Sequence, residues 1–249
     1  MDAVILAGAL NSGPLRAVSS AQYEAAIEIA GRPMLDYVVK ALQNVASIRR
    51  IIIVGNESAV APEIRRQAVG VIEPGGTLVD SLIGGLNALQ SAEPVLVATS
   101  DIPLITREAV EDFLSRCSRI PGDVYYSFVS KELNEAKYPG VQRTYVTLRE
   151  GTFTGGNLAL IAPRVVEENA EMLRKAALLR KKPWKLCQML GWRYLWKLLC
   201  GNLTIAEIEQ RVRSVFGIRA VGIISPFPEV GIDVDKPSDF RLATEVLSK

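Results

Sequence analysis

Apolar residues along this chain fall into short solid runs, separated by segments where they recur every three or four positions. Residues 3–7, closed by Gly8, and residues 51–54, closed by Gly55, are apolar throughout, as parallel strands buried on both faces require. Between them Met34, Leu35, Val38, Val39 and Leu42 keep helical spacing behind Pro33, whose fixed φ suits the first turn of a helix. The same reasoning predicts a strand over 69–72, a helix over 80–89, a strand over 95–98 ending at Thr99-Ser100-Asp101, and a helix over 107–115. Such alternation points to a mostly parallel sheet with helices on both faces and a ligand beyond the carboxyl ends of the strands. Gly8, Gly75 and Asp101 all stand at those ends.

Further along, residues 124–129, 145–148 and 158–161 read as strands, with Thr154-Gly155-Gly156-Asn157 before the last of them. Residues 165–212 change style. They are helical in pattern, interrupted at Pro183, Gly191 and Gly201, until a strand over 220–224 restores the earlier rhythm. This reads as a helical insertion in a single domain spanning residues 1–249, since no linker, repeat or low-complexity tract divides the chain.

Composition narrows the chemistry. Lys plus Arg total 29 against 27 for Asp plus Glu, so net charge calls for no nucleic acid. The distribution is uneven: residues 174–200 carry eight basic side chains (Arg174, Lys175, Arg180, Lys181, Lys182, Lys185, Arg193, Lys197) and no acidic one, so the rest of the chain is acidic. There is no histidine, and Cys117, Cys187 and Cys200 have no paired spacing, which argues against a zinc cluster and an imidazole base. Catalysis must rest on carboxylates, lysine, arginine or a bound ion. The apolar start is too short for a signal segment and no apolar run is long enough to span a bilayer, so a cytoplasmic protein is expected.

Four segments carry candidate chemistry. Leu6-Ala7-Gly8 leads into Asn11-Ser12-Gly13-Pro14, a loop whose backbone N–H groups can face phosphate oxygens, although a plain βα turn fits it equally. Glu73-Pro74-Gly75-Gly76-Thr77 precedes Asp80-Ser81-Leu82 and Gly84-Gly85; glycine there admits a flat base, and a turn with a Thr77 or Asp80 cap is the competing reading. Asp101 ends an apolar strand and is followed by Ile102-Pro103, a good place for a carboxylate ligand of Mg²⁺. Finally, Asp233 and Asp235 alternate as on one face of a strand, so both can approach one ion, with Asp239 in the first turn of a Pro237-started helix.

Together these segments resemble the MobA-like nucleotidyltransferase family, which includes molybdopterin guanylyltransferases and sugar- and polyol-phosphate cytidylyltransferases. The matching pieces are Leu6-Ala7-Gly8, Ile29-Ala30-Gly31-Arg32-Pro33-Met34-Leu35, Gly75-Gly76 with Asp80-Ser81, Asp101-Ile102-Pro103, Gly155-Gly156-Asn157 and Val234-Asp235-Lys236-Pro237-Ser238-Asp239, in family order. The resemblance implies an α/β, Rossmann-like nucleotide-diphospho-sugar transferase (GT-A-like) three-layer sandwich. It also implies a triphosphate held by Leu6, Ala7, Gly8 and Asn11, a base against Gly75, Gly76 and Ser81, and Mg²⁺ on Asp101 and Asp235, with Asp233 beside them. The expected reaction moves NMP from an NTP to a small anionic acceptor, phosphorylated or lipid-linked, and releases pyrophosphate; the Gly-Gly-x₃-Asp-Ser-Leu pattern favours CTP.

Three positions depart from the family. Ala9 and Gly13 stand where a second glycine and an arginine are usual, and Glu24 occupies the place of a lysine seven residues before Gly31. A carboxylate near phosphates repels them. Arg16, three residues past the missing arginine, is the candidate replacement. A nucleotide-binding or regulatory protein that has lost turnover is therefore a rival, with a nucleotide-sugar glycosyltransferase as a third reading. The basic stretch holds all three tryptophans, Trp184, Trp192 and Trp196. Four roles compete for it: peripheral contact with an anionic membrane, an acceptor-binding cover, a homodimer contact, and simple packing on the core.

Overall fold

The computed structural model describes residues 1–179 and 182–248; Arg180 and Lys181 of the basic stretch, and Lys249, lie outside the described residues. The elements run β1 (Asp2–Leu6), a small hairpin of β2 (Glu28–Ile29) and β3 (Arg32–Pro33), α1 (Met34–Gln43), β4 (Arg50–Val54), the one-turn α2 (Pro62–Arg65), β5 (Gly70–Ile72), α3 (Leu78–Leu89), β6 (Val95–Thr99) and α4 (Arg107–Cys117). There follow β7 (Val124–Ser130), α5 (Lys131–Lys137), β8 (Val146–Leu148), β9 (Gly151–Ile161), α6 (Pro163–Leu179), α7 (Pro183–Leu190), α8 (Trp192–Leu199), α9 (Ile205–Phe216), β10 (Ala220–Ser225) and α10 (Pro237–Leu247).

The main sheet runs β10-β7-β9-β6-β1-β4-β5, with β8 paired to β9. β1 pairs in parallel with β4 (Asp2↔Arg50 to Leu6↔Val54) and β6 (Ala3↔Leu96 to Leu6↔Thr99), while β9 runs antiparallel between β6 and β7. Alternate residues of β1 enter opposite layers. Ala3 and Ile5 meet Leu35, Val38, Val110 and Phe113 of α1 and α4. Val4 meets Leu82 and Leu86 of α3 and Val166 of α6. Residues 3–7 therefore show no alternation in sequence because both faces are covered. Asp2, almost fully buried, faces its register partner Arg50, whose guanidinium donates to both carboxylate oxygens at 3.1 and 2.5 Å. This is the mostly parallel sheet with helices on both faces that the periodicity predicts, and the α/β, Rossmann-like three-layer sandwich that the resemblance implies.

Helix boundaries follow local chemistry. Thr77 caps α3 by accepting the Asp80 N–H at 3.1 Å, and Thr204 with Glu207 forms a capping box on α9. Gly85 lets α3 lie directly on the sheet, for a Cβ there would sit 2.8 Å from Val4 Cγ1. Helices α6 to α9 occupy the region read as an insertion and extend to Phe216; their breaks fall at Pro183, Gly191 and Gly201, the last two with positive φ. No described helix is long and apolar enough to cross a membrane.

Three details differ from expectation. Val69 precedes β5 and its side chain is exposed. Thr154-Gly155-Gly156-Asn157, expected before a strand over 158–161, lies in the middle of the eleven-residue β9, where a Cβ on Gly155 would meet the Tyr126 hydroxyl and one on Gly156 would meet Val230, each at 2.8 Å. The segment with Asp233 and Asp235 is extended chain rather than a strand. Its alternation survives because Val234 is fully buried and donates its N–H to the Asp101 carbonyl at 2.8 Å.

Candidate active site

The carboxyl ends of β1, β4, β5 and β6 share one edge of the sheet, and the chain leaving each is held there by its neighbours. Gly8, just past β1, touches the loop past β5 so closely that a Cβ would stand 2.5 Å from Pro74 Cβ. The first two glycine segments are thus one wall. Gly75 is equally constrained, by Asp80 and Ser81; its N–H donates to the Ser81 hydroxyl at 3.0 Å, so Ser81 holds the turn. Gly76 is open, its nearest side-chain atom being the Asp80 carboxylate at 3.9 Å from an added Cβ.

The loop after Gly8 folds back on itself. Leu10 bridges Tyr23, Glu24 N–H donates to the Ala9 carbonyl at 2.9 Å, and the buried Asn11 amide donates to Ser19 and Ala21 carbonyls at 3.1 and 2.9 Å. Asn11 therefore shapes the loop with its amide nitrogen, while its Oδ1 is buried without a hydrogen-bond partner. Arg16 is exposed and donates to the Ser20 and Ala21 carbonyls at 3.1 and 3.4 Å. The departures Gly13 and Glu24 sit on either side of this loop, and a Cβ on Gly13 meets nothing within 4 Å.

At the end of β6 stand the acids. Asp101, Asp233 and Asp235 each offer one carboxylate oxygen to a common point, all within 4.8 Å of one another. Residues more than a hundred positions apart meet because the Val234 to Asp101 backbone bond stitches the two segments. Asp101 Oδ1 is buried and has no hydrogen-bond partner. Burial, and after it the charge of Asp233, push the Asp101 carboxyl up to about 7. Asp233 is also raised, chiefly by burial, with Arg143 opposing. Oxygens so crowded suit a hard divalent cation, which accepts one or two carboxylates and supplies the missing positive charge.

Arg143 escaped the sequence reading. Its side chain is 8% exposed; Nε donates to the Gly231 carbonyl at 3.1 Å and Nη2 to the Asp233 carbonyl at 2.5 Å, and the guanidinium pairs with Asp233 Oδ1 at 3.2 Å and Asp239 Oδ2 at 3.4 Å. Asp239, in the first turn of α10 as expected, is itself buried and accepts the Asp235 N–H at 3.2 Å. One arginine thus holds the acidic segment from behind. Only the run of acids at 233–239 hinted at such a partner. Two further pairs were equally silent in sequence: Lys137 with the buried Glu229 at 2.9 Å, and Arg174 of α6 with Asp80 of the glycine wall at 2.7 Å. Through the latter pair the basic stretch touches the site.

A family model described as MobA-like NTP transferase domain matches residues 3–188. A solved structure described as a hypothetical transferase from Thermus thermophilus is 36% identical, with 96% of this chain and 98% of that chain covered and a TM-score of 0.83. CMP:2-keto-3-deoxy-manno-octonic acid synthetase in complex with CTP superimposes at TM-score 0.60 over 99% of this chain and 98% of that one, at 13% identity, a likeness of fold. The bifunctional protein GlmU of Exiguobacterium sibiricum is 31% identical over 120 residues, 45% of this chain. That match spans 25% of the length of that relative. The ordered glycine wall, the acidic cluster and a family match over most of its length lead to one conclusion: the chain belongs to the MobA-like NTP transferase family.

Proposed function

We infer that this protein transfers NMP from an NTP, with CTP favoured, to a small anionic acceptor, phosphorylated or lipid-linked, with release of pyrophosphate. The observation that carries the reading is the convergence of Asp101, Asp233 and Asp235, with a buried Asp101 oxygen left without a partner at the ligand edge of the sheet. That oxygen and its neighbours fit Mg²⁺, which when bound would neutralise phosphate charge and the developing charge on the leaving pyrophosphate. In this reading the amides from Leu6 to Asn11 face the triphosphate, and the surface of Gly75 and Gly76, kept in shape by Ser81, accepts the base. Asp101 and Asp235 hold the cation, with Asp233 beside them. An acceptor oxygen forms the new bond to the α-phosphorus as the bond to the β-phosphate oxygen breaks in line, so the chain acts by positioning and electrostatics. CTP is favoured by the Gly75-Gly76-x₃-Asp80-Ser81-Leu82 spacing, and the CTP complex of the synthetase of like fold is consistent with it.

A second reading rests on Gly13 and Glu24. The Glu24 backbone is bonded to the loop after β1 at Ala9, and Glu24 takes the sequence position where the family has a lysine; binding without appreciable turnover follows if Arg16 does not replace the lost charge. Pyrophosphate release and thermal shift with each of the four NTPs plus Mg²⁺ separate the two. A transferase shows base-selective stabilisation and release that Asp101→Asn and Asp235→Asn abolish. Stabilisation with no release under any acceptor supports the binding protein, and no response to any triphosphate refutes both.

A further inference from the structure

Helix α8 is apolar on its outward arc as well as on the face it packs against the body of the protein. Tyr194, Leu195 and Leu198 pack inward against Leu148, Phe153, Leu203 and Ile208, which fixes its orientation. Trp192, Trp196 and Leu199, at positions i, i+4 and i+7, line the outward arc and are 65%, 66% and 68% exposed. A soluble helix puts charge there. Leu178 near the end of α6 and Trp184 at the start of α7 are exposed as well. Along the sequence the charge here is of one sign: from Met172 to Ala206 there are eight basic residues and no acidic one, with Glu171 and Glu207 flanking the stretch. Arg174, Lys175 and Lys197 are paired with Asp80, Glu171 and Glu207, whereas Lys182, Lys185 and Arg193 are exposed.

We propose that the outward face of α8, with the exposed cations Lys182, Lys185 and Arg193, docks on an anionic lipid surface. Tryptophan is the side chain suited to the headgroup layer, its ring apolar and its indole N–H able to meet polar partners. A short amphipathic helix that presents aromatic and leucine side chains beside Lys and Arg adsorbs by burying the apolar arc and drawing in anionic headgroups. Gly191, at φ +123°, turns the chain sharply between α7 and α8, and the inward face of α8 is locked on the β8–β9 corner, so the surface is preformed. A second copy of the chain is disfavoured as the occupant, since two such faces would bring unpaired cations together. The inference is independent of the transfer reaction.

All three tryptophans of the chain lie in this region, so tryptophan fluorescence, excited beyond the tyrosine band, reports on it alone. The test is titration of the full-length protein with phosphatidylcholine vesicles, with and without phosphatidylglycerol, alongside co-sedimentation and sedimentation velocity without lipid. The expected result is a blue shift and co-sedimentation only with phosphatidylglycerol, both suppressed by high salt. Trp192→Ser with Trp196→Ser should remove sedimentation, and Lys182→Gln, Lys185→Gln and Arg193→Gln together should weaken it on the order of 100-fold, taking about five-fold per charge. Circular dichroism should show both variants folded, since the replaced side chains are exposed. No shift with anionic vesicles, equal binding to neutral ones, or a lipid-independent dimer that buries the same tryptophans would each overturn the proposal.

Discussion

Removing Arg143 probes the acidic site from its hidden side. Arg143→Ala deletes the donors to the Gly231 and Asp233 carbonyls and the partner of two carboxylates, one of them, on Asp239, almost fully buried. Truncating one member of a buried, hydrogen-bonded ion pair leaves the other charge unpaired in a poor solvent, which costs about 3–5 kcal/mol. For a chain of this size that corresponds to a fall in melting temperature of roughly 10 °C. The loss has a specific address. Asp239 Oδ2 also accepts the Asp235 N–H, so the segment presenting Asp233 and Asp235 loses its backing, and the Mg²⁺ concentration for half-maximal activity should rise more than KM for the nucleotide. Arg143→Lys keeps a charge but not the planar fork, and should fall between wild type and Arg143→Ala in both measurements. Asp239→Asn removes the stranded charge, so Arg143→Ala combined with Asp239→Asn should be less damaged than the sum of the single changes. Differential scanning calorimetry and a magnesium titration of pyrophosphate release read these outcomes. A wild-type melting point for Arg143→Ala, or strict additivity in the cycle, would refute the assignment of Arg143 as the support of the acidic segment.

Further predictions follow from neighbouring groups. Asp123, 7% exposed, is lowered to about 2, first by the hydrogen bond from Arg219 and despite its burial, with Arg164 contributing at 2.5 Å. Because its folded value lies below the ordinary 3.8, the pair stabilises the fold by about 2 kcal/mol above pH ~4 and loses that contribution as pH falls towards ~2. Urea unfolding of wild type and Asp123→Asn should therefore converge across that window, and a constant gap would count against the pair. Gly13→Arg restores the cation that the family carries at an open position, so it should fold normally and tighten triphosphate binding about ten-fold by calorimetry, equivalent to roughly 1.4 kcal/mol; unchanged affinity would mean that this loop does not face the phosphates. Asp101→Asn should abolish turnover and, by removing a buried carboxyl crowded by Asp233, raise the melting temperature without metal; a lower one would show that the carboxyl is satisfied as it stands. Gly75→Ala should unfold at lower temperature, because a Cβ there collides with backbone of Asp80 and Ser81 rather than with a movable side-chain tip.

How much of this was legible depended on the range of the interaction. Strands such as β1 and β4 and the helix α1 announce themselves through local periodicity, because burial on one or two faces imposes a repeat that propensity alone would not. Gly8, Gly75 and Asp101 were legible for a related reason, since in a parallel sheet the end of a strand is also the ligand edge. The exact chemistry of the glycines was not. Gly8 is needed by the approach of Pro74, Gly85 by the approach of Val4, and Gly156 by contact with Val230 across β9, all of them contacts between segments far apart in sequence. Arg143 was invisible for the same reason: it follows a loop with no periodic signal and meets its acids 90 and 96 residues later.

The acidic segment shows how a correct grouping can have a different cause. Alternation in a strand suggested that Asp233 and Asp235 share a face, and they do converge with Asp101 although no strand forms. What holds them is the buried Val234 between them, anchored through its N–H to the Asp101 carbonyl, with Arg143 binding the carbonyls on both sides of Ile232. A strand would share its constraint along a whole ladder, whereas here the two carboxylates are placed by the Val234 to Asp101 backbone bond, the Arg143 guanidinium and the bond from the Asp235 N–H to Asp239. That makes the acidic cluster sensitive to changes behind it, and a chain that departs from its family at Gly13 and Glu24, around the loop after β1, can still keep Asp101, Asp233 and Asp235 in order, because their supports come from other segments of the chain.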